Sequence, residues 1–230
     1  MARTWDELLE IAGEGLASAA RELDLEQAVR GIDALDETGI QAILARAYGT
    51  AGLGVFREWP YGVPEGVPRR TERERCDLVL TPDPSRRPRD AVAERKEKAA
   101  LSGTLFADAL GEAPSTDASP EETAWIEVKV AGQYAYAAGV PGPSRGYSSL
   151  LVSVLRKDLA KLASEESVGA RAVILVLFGA SRVVTDHDVP AALHRCLDDS
   201  LPLGDARSTG FAITDRIGNG WCAVWLVPVR

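Results

Sequence analysis

The chain has 230 residues, of which 46% are apolar and 26% charged, and this composition excludes a disordered or fibrous protein. At this length we expect one domain with additions, or two small domains. The three cysteines stand far apart without a C-x-x-C pair, so neither a disulfide framework nor a cysteine zinc site is expected. No apolar run approaches ~20 residues, and the acidic N-terminal segment does not resemble a signal peptide. These features predict a cytoplasmic protein with no membrane partner.

Charge is unevenly distributed along the sequence, whose net charge is −8. Residues 1–40 carry 3 basic and 10 acidic side chains, whereas residues 67–98 carry 10 basic and 7 acidic ones. The acidic total argues against a protein that coats nucleic acid without specificity. The basic stretch is either a solvated loop or a surface that grips a nucleic-acid backbone. In the second case its candidate contacts are Arg86, Arg87 and Arg89.

Three helices are predicted before the first strand. Residues 4–23 form an amphipathic pattern in which Thr4 is the expected N-cap and Glu7 completes a capping box. A short helix is expected over residues 24–34, and the apolar spacing of residues 36–50 predicts a third helix. We therefore divide the chain into an N-terminal helical extension, residues 1–34, and a main domain, residues 35–230.

From residue 55 onward the apolar period changes to two, which predicts strands. Prolines and arginines interrupt this pattern, so residues 82–122 are taken as an insertion with a helix over 90–112. An Asn219-Gly220 turn predicts a C-terminal hairpin. The expected architecture is a mixed α/β domain in the order α–β–β–β–α–β, then a helix and two strands, with helices packed on a mixed sheet. The predicted strands span 55–61, 73–81, 124–131 and 171–179, the later helices span 148–164 and 189–199, and a loop spans 132–147.

The predicted strand 124–131 carries charged residues where a half-buried strand normally avoids them. Glu127 and Lys129 alternate with apolar residues, so period two places them on one face, about 7 Å apart. Since an unpaired buried charge is costly, the alternative is an edge strand with one solvated face. Asp77 lies among apolar neighbours in the preceding strand, and Glu37 lies near the start of the helix before the sheet. Alternation in strand 73–81 predicts that Cys76, Leu78 and Leu80 share the face opposite Asp77.

The chemistry of these residue types points to a metal site. Neighbouring strands bring opposed side chains to about 5 Å, so Asp77 and Glu127 could share a divalent cation. Oxygen ligands without His or Cys favour Mg²⁺ or Mn²⁺ over Zn²⁺. Lys129, on the same face as Glu127, could contact a phosphate or the attacking water. Metal-assisted phosphodiester hydrolysis uses such a set of side chains.

Taken in chain order, these residues resemble the PD-(D/E)XK nuclease superfamily, which has the restriction-endonuclease-like fold. The matching residues are Glu37, Glu58 in FREWPY, Asp77 in RCDLVL and Glu127-Val128-Lys129 in WIEVKV, within residues 35–180. The resemblance implies an αβββαβ core and a nuclease that hydrolyses nucleic acid, DNA being favoured over RNA, with Mg²⁺ or Mn²⁺ as cofactor. It further implies that the metal ligands are Asp77, Glu127, the Val128 carbonyl and Glu37, and that Lys129 positions or activates water.

Several alternatives stay open at this point. Asp83 follows Pro82 as in the literal motif, although prolines on both sides predict a loop there. Lys157 and Lys161, one helical turn apart, either contact phosphate or lie on a solvated face. The protein could also be a non-catalytic regulatory or protein-binding member that kept the fold. A homodimer, or a partner protein through which the chain meets DNA, is equally compatible with the sequence.

Overall fold

A computed structural model describes residues 3–61, 74–90, 117–165 and 168–230 of the chain. Within these ranges the chain forms a mixed α/β structure, in which a mixed six-stranded sheet is flanked by four α-helices. The helices are α1 (Trp5–Leu25), α2 (Glu37–Thr50), α3 (Tyr147–Ala163) and α4 (Arg182–Asp198). The strands are β1 (Gly54–Pro60), β2 (Arg75–Thr81), β3 (Ala124–Gly132), β4 (Tyr134–Ala137), β5 (Val140–Pro143), β6 (Ala170–Gly179), β7 (Arg207–Ala212) and β8 (Trp221–Val229).

The large sheet has the strand order β1-β2-β3-β6-β8-β7. Strands β3 and β6 run parallel, with α3 in the connection between them, and the other neighbours in this sheet are antiparallel. The nearly continuous apolar run of β6 is explained by its central place, because both of its faces are covered. The order α2–β1–β2–β3–α3–β6 agrees with the predicted order once the small β4–β5 sheet is set aside.

Two apolar layers hold the helices on the sheet. On one face, side chains of α1 and α2 such as Leu16 and Leu44 pack against Ile126, Val128 and Ile174 of the sheet. The other face carries α3 and α4. Helix side chains pack there against the central strand β6, and the cluster includes Leu155, Leu159, Val189, Cys196, Val173 and Leu175. All three cysteines are buried, with free thiols. The sheet is thus covered on both sides, so a charged side chain pointing out of it enters a helix–sheet interface.

The N-terminal prediction is confirmed at α1 and α2 and is wrong between them. Thr4 caps α1, and Glu7 completes the predicted capping box. After α1 ends at Leu25, the rest of the range 24–34 contains a short 3-10 helix, Ile32–Ala34, instead of a second α-helix. Gln27 has a positive φ of 52°, which breaks the helical path directly after α1.

The loop predicted over residues 132–147 contains the β4–β5 hairpin. Ala138 and Gly139 both have positive φ at its turn, which matches the twist of a two-residue hairpin. The predicted C-terminal hairpin is confirmed by the antiparallel pair β7–β8, but its tight turn at Asn219-Gly220 is wrong, because residues 213–220 form a longer connection. The Asn219 side chain is buried in that connection and hydrogen-bonds Asp33 and the Tyr134 backbone.

Helix α4 begins at Arg182, seven residues before the predicted start at residue 189. It runs through Pro190, which removes one backbone hydrogen bond. Buried side chains on both sides of the proline, Thr185 and Ala192, keep the helix packed against the rest of the fold.

The predicted insertion leaves the sheet after β2 and returns before β3. A backbone bridge between Pro88 and Ala118 joins its two described ends. The predicted helix over 90–112 lies outside the described residues, apart from its first position, residue 90. Within the described ranges, no helix is long and apolar enough to cross a membrane.

Candidate active site

The site forms where β2 separates from β3. The antiparallel pairing of these strands runs from Leu80 opposite Ala124 to Leu78 opposite Ile126 and stops there. One residue further, Oδ2 of Asp77 accepts a hydrogen bond of 2.7 Å from the Val128 amide. A side-chain carboxylate therefore contacts β3 at the point where the backbone pairing ends, and this contact fixes Asp77 beside the middle of β3.

The separation also changes which face each β2 side chain uses. Leu78 packs in the α1–α2 layer as predicted, but Cys76 packs in the α3–α4 layer together with Val79. The prediction that Cys76, Leu78 and Leu80 share one face is therefore wrong at Cys76. On the neighbouring strand β1, Glu58 has a positive φ of 52°. Glu58 lies between Arg57, which is opposite Leu78, and Trp59, which is opposite Cys76. The pairing of β1 with β2 keeps one register across these residues, so the irregular backbone at Glu58 lies beside the face change on β2.

Lys129 is the centre of the charged cluster. Its Nζ donates a hydrogen bond of 2.9 Å to Oε1 of Glu37, at the first turn of α2. The same ammonium lies 3.4 Å from Oδ2 of Asp158 on α3 and 3.7 Å from Oδ2 of Asp77. The Lys129 side chain is only 15% exposed. One half-buried ammonium group therefore faces three carboxylates, contributed by two helices and one strand.

Glu127 makes a second ion pair on the same side of the sheet. Its Oε1 accepts hydrogen bonds from the Tyr61 hydroxyl at 2.6 Å and from Nζ of Lys161 at 2.8 Å. The Lys161 ammonium also lies 4.6 Å from the centre of the Tyr61 ring and donates to the Arg75 carbonyl. Burial raises the pKa of Tyr61, so its hydroxyl keeps its proton and acts as a donor. Glu127 is thus buried, charged and held on one oxygen by two donors.

Electrostatics couple these groups. Burial and the nearby Glu127 carboxylate raise the pKa of Asp77 from its ordinary 3.8 to about 7. Burial alone would lower the pKa of Lys129, but its hydrogen bond to Glu37 and the charges of Asp158 and Asp77 raise it overall. Burial likewise raises the pKa of Asp158, although Lys129 opposes that shift. With every group ionised, four carboxylates face two ammonium groups, and the cluster carries an excess of two negative charges.

The structure brings together the four predicted catalytic residues, Glu37, Asp77, Glu127 and Lys129. Glu127 and Lys129 share a face of β3, as predicted, because both reach α3, at Lys161 and Asp158. For Val128 the observed contact is its amide donating to Asp77, and its carbonyl stays a predicted ligand. Glu58 is exposed, and its carbonyl accepts from Arg75. Asp83 lies in the loop after β2, where it caps Ser85.

Sequence reasoning missed Tyr61 and Asp158 and read Lys161 differently. No role is predicted for Asp158 from the sequence, yet this carboxylate is buried in the stripe formed by Leu155, Leu159 and Leu162. A lone carboxylate at a core position of an amphipathic helix was the signal that could have revealed it. Tyr61 lies directly after β1 and carries no comparable signal in the sequence.

The predicted nucleic-acid contacts lie in different surroundings. Arg86 forms a two-pronged ion pair with Glu122, at 2.7 and 2.8 Å, and so joins the two described ends of the insertion. Arg87 and Arg89 are exposed in the same segment, which starts at the end of β2 remote from Asp77. Lys157 is exposed on α3, whereas Lys161 is turned onto Glu127. The role of these residues in nucleic-acid binding stays a prediction.

The donor set of the cluster suits a hard divalent cation. Asp77, Glu127 and Glu37 offer carboxylate oxygens only, which is the chemistry that Mg²⁺ and Mn²⁺ prefer. Asp77 is a buried carboxylate that repels a second one, and a bound cation would remove that repulsion. In the structure, Lys161 forms an ion pair with Glu127. Among the described residues, no group of three or more His, Cys, Asp or Glu is arranged to hold a metal ion. Because Tyr61 and Lys161 both donate to Oε1 of Glu127, a cation at this position would either displace the Lys161 ammonium or bind against its charge.

Comparisons with protein-family models, curated proteins and solved structures give no match for this chain.

The raised pKa of Asp77 predicts a pH-dependent stability without metal. Between about pH 4 and 7 the folded protein keeps a proton on Asp77 that the unfolded chain has lost, so this group's stabilising contribution is full below 3.8 and is lost as the pH rises through about 7. Asp77→Asn removes this contribution and keeps an acceptor for Val128. We expect the variant to gain free energy of unfolding relative to the wild type as pH rises across that window, measured by urea denaturation in chelator. Asp205→Asn, at an exposed carboxylate, should run parallel to the wild type, and a constant difference between wild type and Asp77→Asn would show that Asp77 titrates normally.

Proposed function

We propose that this protein is a metal-dependent nuclease of the PD-(D/E)XK type, which hydrolyses phosphodiester bonds in nucleic acid. The observation that supports it best is the convergence of Glu37, Asp77, Glu127 and Lys129 at the point where β2 leaves β3. These residues are far apart in sequence, on one helix and two strands. Placing four charged groups between a sheet and its helices costs free energy of folding. Such clusters are typical of functional sites, where their joint chemistry is used.

In this proposal Asp77 and Glu127 hold Mg²⁺ or Mn²⁺, with Glu37 and the Val128 carbonyl in support. The two negative charges in excess within the cluster match one divalent cation. When bound, such a cation polarises the phosphate and lowers the pKa of a coordinated water. The protein's own part is to place the carboxylates, to restrict bulk water by burying them, and to hold the Lys129 ammonium beside them. That ammonium donates to the phosphate or to the attacking water.

The charge of the site also determines how nucleic acid would bind in this proposal. A site this acidic repels phosphate unless a cation neutralises it, so binding of nucleic acid and of metal should be coupled. Arg87 and Arg89, the exposed members of the predicted basic contacts, lie in the segment that follows the end of β2 remote from Asp77. We therefore propose that any grip on the nucleic-acid backbone is formed away from the reacting phosphate, with DNA as the preferred substrate.

A second function is favoured by the way Glu127 is held. Lys161 and Tyr61 both donate to one oxygen of this carboxylate, and together they make a complete buried ion pair without any metal. Such a pair would stabilise a non-catalytic protein that kept the nuclease-like fold for binding a partner. Metal binding separates the two functions, because only the nuclease needs Glu127 to bind a cation in place of Lys161 or beside it.

Calorimetric titration with Mn²⁺ tests the proposal directly. We expect the wild type to bind Mn²⁺, and Asp77→Ala and Glu127→Ala to lose most of that binding because each removes an anionic ligand. Asp83→Ala is the matched control, since this aspartate also follows the literal motif but lies in the loop after β2 and caps Ser85. Cleavage of plasmid DNA, single-stranded DNA and RNA with Mg²⁺ or Mn²⁺, and its loss with chelator, identifies the substrate. A wild type that binds no Mn²⁺ would support the non-catalytic function, and equal binding by wild type and Glu127→Ala would refute the site.

A further inference from the structure

Asp158 is a buried carboxylate for which the proposed chemistry has so far no use. It lies on α3 within the stripe that contacts the sheet, between Leu155 and Leu162, and its side chain is only 6% exposed. Among the described residues, Oδ2 of Asp158 has no hydrogen bond of good geometry, and its charged neighbour is the Lys129 ammonium at 3.4 Å. An apolar residue would fit this stripe without the desolvation cost of a carboxylate.

The geometry of Lys129 shows what this carboxylate does. Glu37 approaches the ammonium from α2, on one face of the sheet, and Asp158 approaches from α3, on the other. The Glu37 side chain is 39% exposed and belongs to the first turn of its helix. A half-exposed partner at a helix end holds a long lysine side chain weakly. Asp77 is already engaged by the Val128 amide and lies further from the ammonium, at 3.7 Å.

We propose that Asp158 is the positioning residue for Lys129, holding its ammonium between α3 and the Asp77–Glu127 carboxylates. The role in catalysis rests on the proposed function, whereas the control of Lys129 geometry does not. Asp158 itself contacts neither metal nor substrate in this proposal. It acts through Lys129 by limiting the rotamers of a side chain with four rotatable bonds, as outer partners do for functional groups in general.

A direct readout is available because the chain has only five lysines. In protein labelled with ¹³C at the lysine ε-carbons, each lysine gives one methylene signal, and Lys129→Arg assigns that of Lys129. We expect Asp158→Asn to shift the Lys129 signal and increase its mobility, while the exposed Lys157 on the same helix keeps its signal. Asp158→Glu, which keeps the charge, should restore part of the wild-type restriction. Asp199→Asn is the matched control, since this carboxylate also pairs with a basic residue, Arg156 of α3, but does so at the surface.

The kinetic test then asks whether the restricted lysine matters for cleavage. We expect Asp158→Asn to lower kcat by about 10–100-fold with Mn²⁺ affinity unchanged, the usual cost of losing an outer partner. In the double variant with Lys129→Met, the Asp158 change should add nothing, because its effect passes through the lysine. An unchanged Lys129 signal in Asp158→Asn overturns the inference whatever the activity. A wild type that cleaves nothing refutes the proposed function, and the labelled-lysine spectra still decide the role of Asp158.

Discussion

Lys129→Met should leave Mn²⁺ bound and reduce phosphodiester cleavage by about 10²–10⁴-fold, the range for losing a positioned proton donor or acceptor. The ammonium is not a metal ligand, and it lies close to Glu37, Asp158 and Asp77. Its removal makes the cluster more negative, so affinity for a divalent cation should be retained or rise. The loss should appear in kcat, because in the proposed chemistry the lysine acts on the reacting phosphate and water.

Two measurements make this result specific. Mn²⁺ titration of Lys129→Met establishes that the metal site is intact under the conditions of the cleavage assay. Lys157→Met removes an exposed lysine from α3 and should retain wild-type cleavage. Cleavage by Lys129→Met at the wild-type rate, with metal bound, would mean that Lys129 is a structural counter-ion and that the proposed chemistry assigns it wrongly.

Local sequence pattern was sufficient for much of this fold. The capping box at Thr4 and the long apolar strand β6 follow from residues close in the chain, and both are found where they were predicted. Period two on β3 correctly placed Glu127 and Lys129 on one face, because β3 stays paired with β6 through both residues and so keeps strict alternation. These features depend on hydrogen bonds and packing within one element.

At the site, the incorrect or missing predictions concern contacts between distant elements. Alternation fails on β2 at Asp77, where the strand leaves its partner and Cys76 moves to the other layer. No local pattern reports that separation, since the end of the pairing at Leu78 and Ile126 involves two strands that are far apart in the sequence. Asp158 and Lys129 are likewise on separate elements, and their contact exists only because α3 crosses the face of β3 that carries the charges.

Lys161→Met should destabilise the metal-free protein by about 3 kcal/mol, because it leaves the buried Glu127 carboxylate without its cation. The Glu127 side chain is only 3% exposed, whereas Lys161 is 20% exposed, so water compensates little for the loss. Tyr61 still donates one hydrogen bond to Glu127 and limits the damage. Urea denaturation in chelator measures this loss, and Lys157→Met, at an exposed position of the same helix, should change the free energy of unfolding far less.

The same variant should bind Mn²⁺ more tightly than the wild type. In the wild type the cation must displace an ammonium that lies 2.8 Å from Oε1 of Glu127, or bind against its charge. Without that ammonium, each tenfold gain in affinity adds about 1.4 kcal/mol of stabilisation at saturating Mn²⁺. The rise in melting temperature on adding Mn²⁺ should therefore be larger for Lys161→Met than for the wild type or Lys157→Met. If Mn²⁺ raises all three by the same amount, Glu127 is not a metal ligand, and its ion pair with Lys161 serves the fold alone.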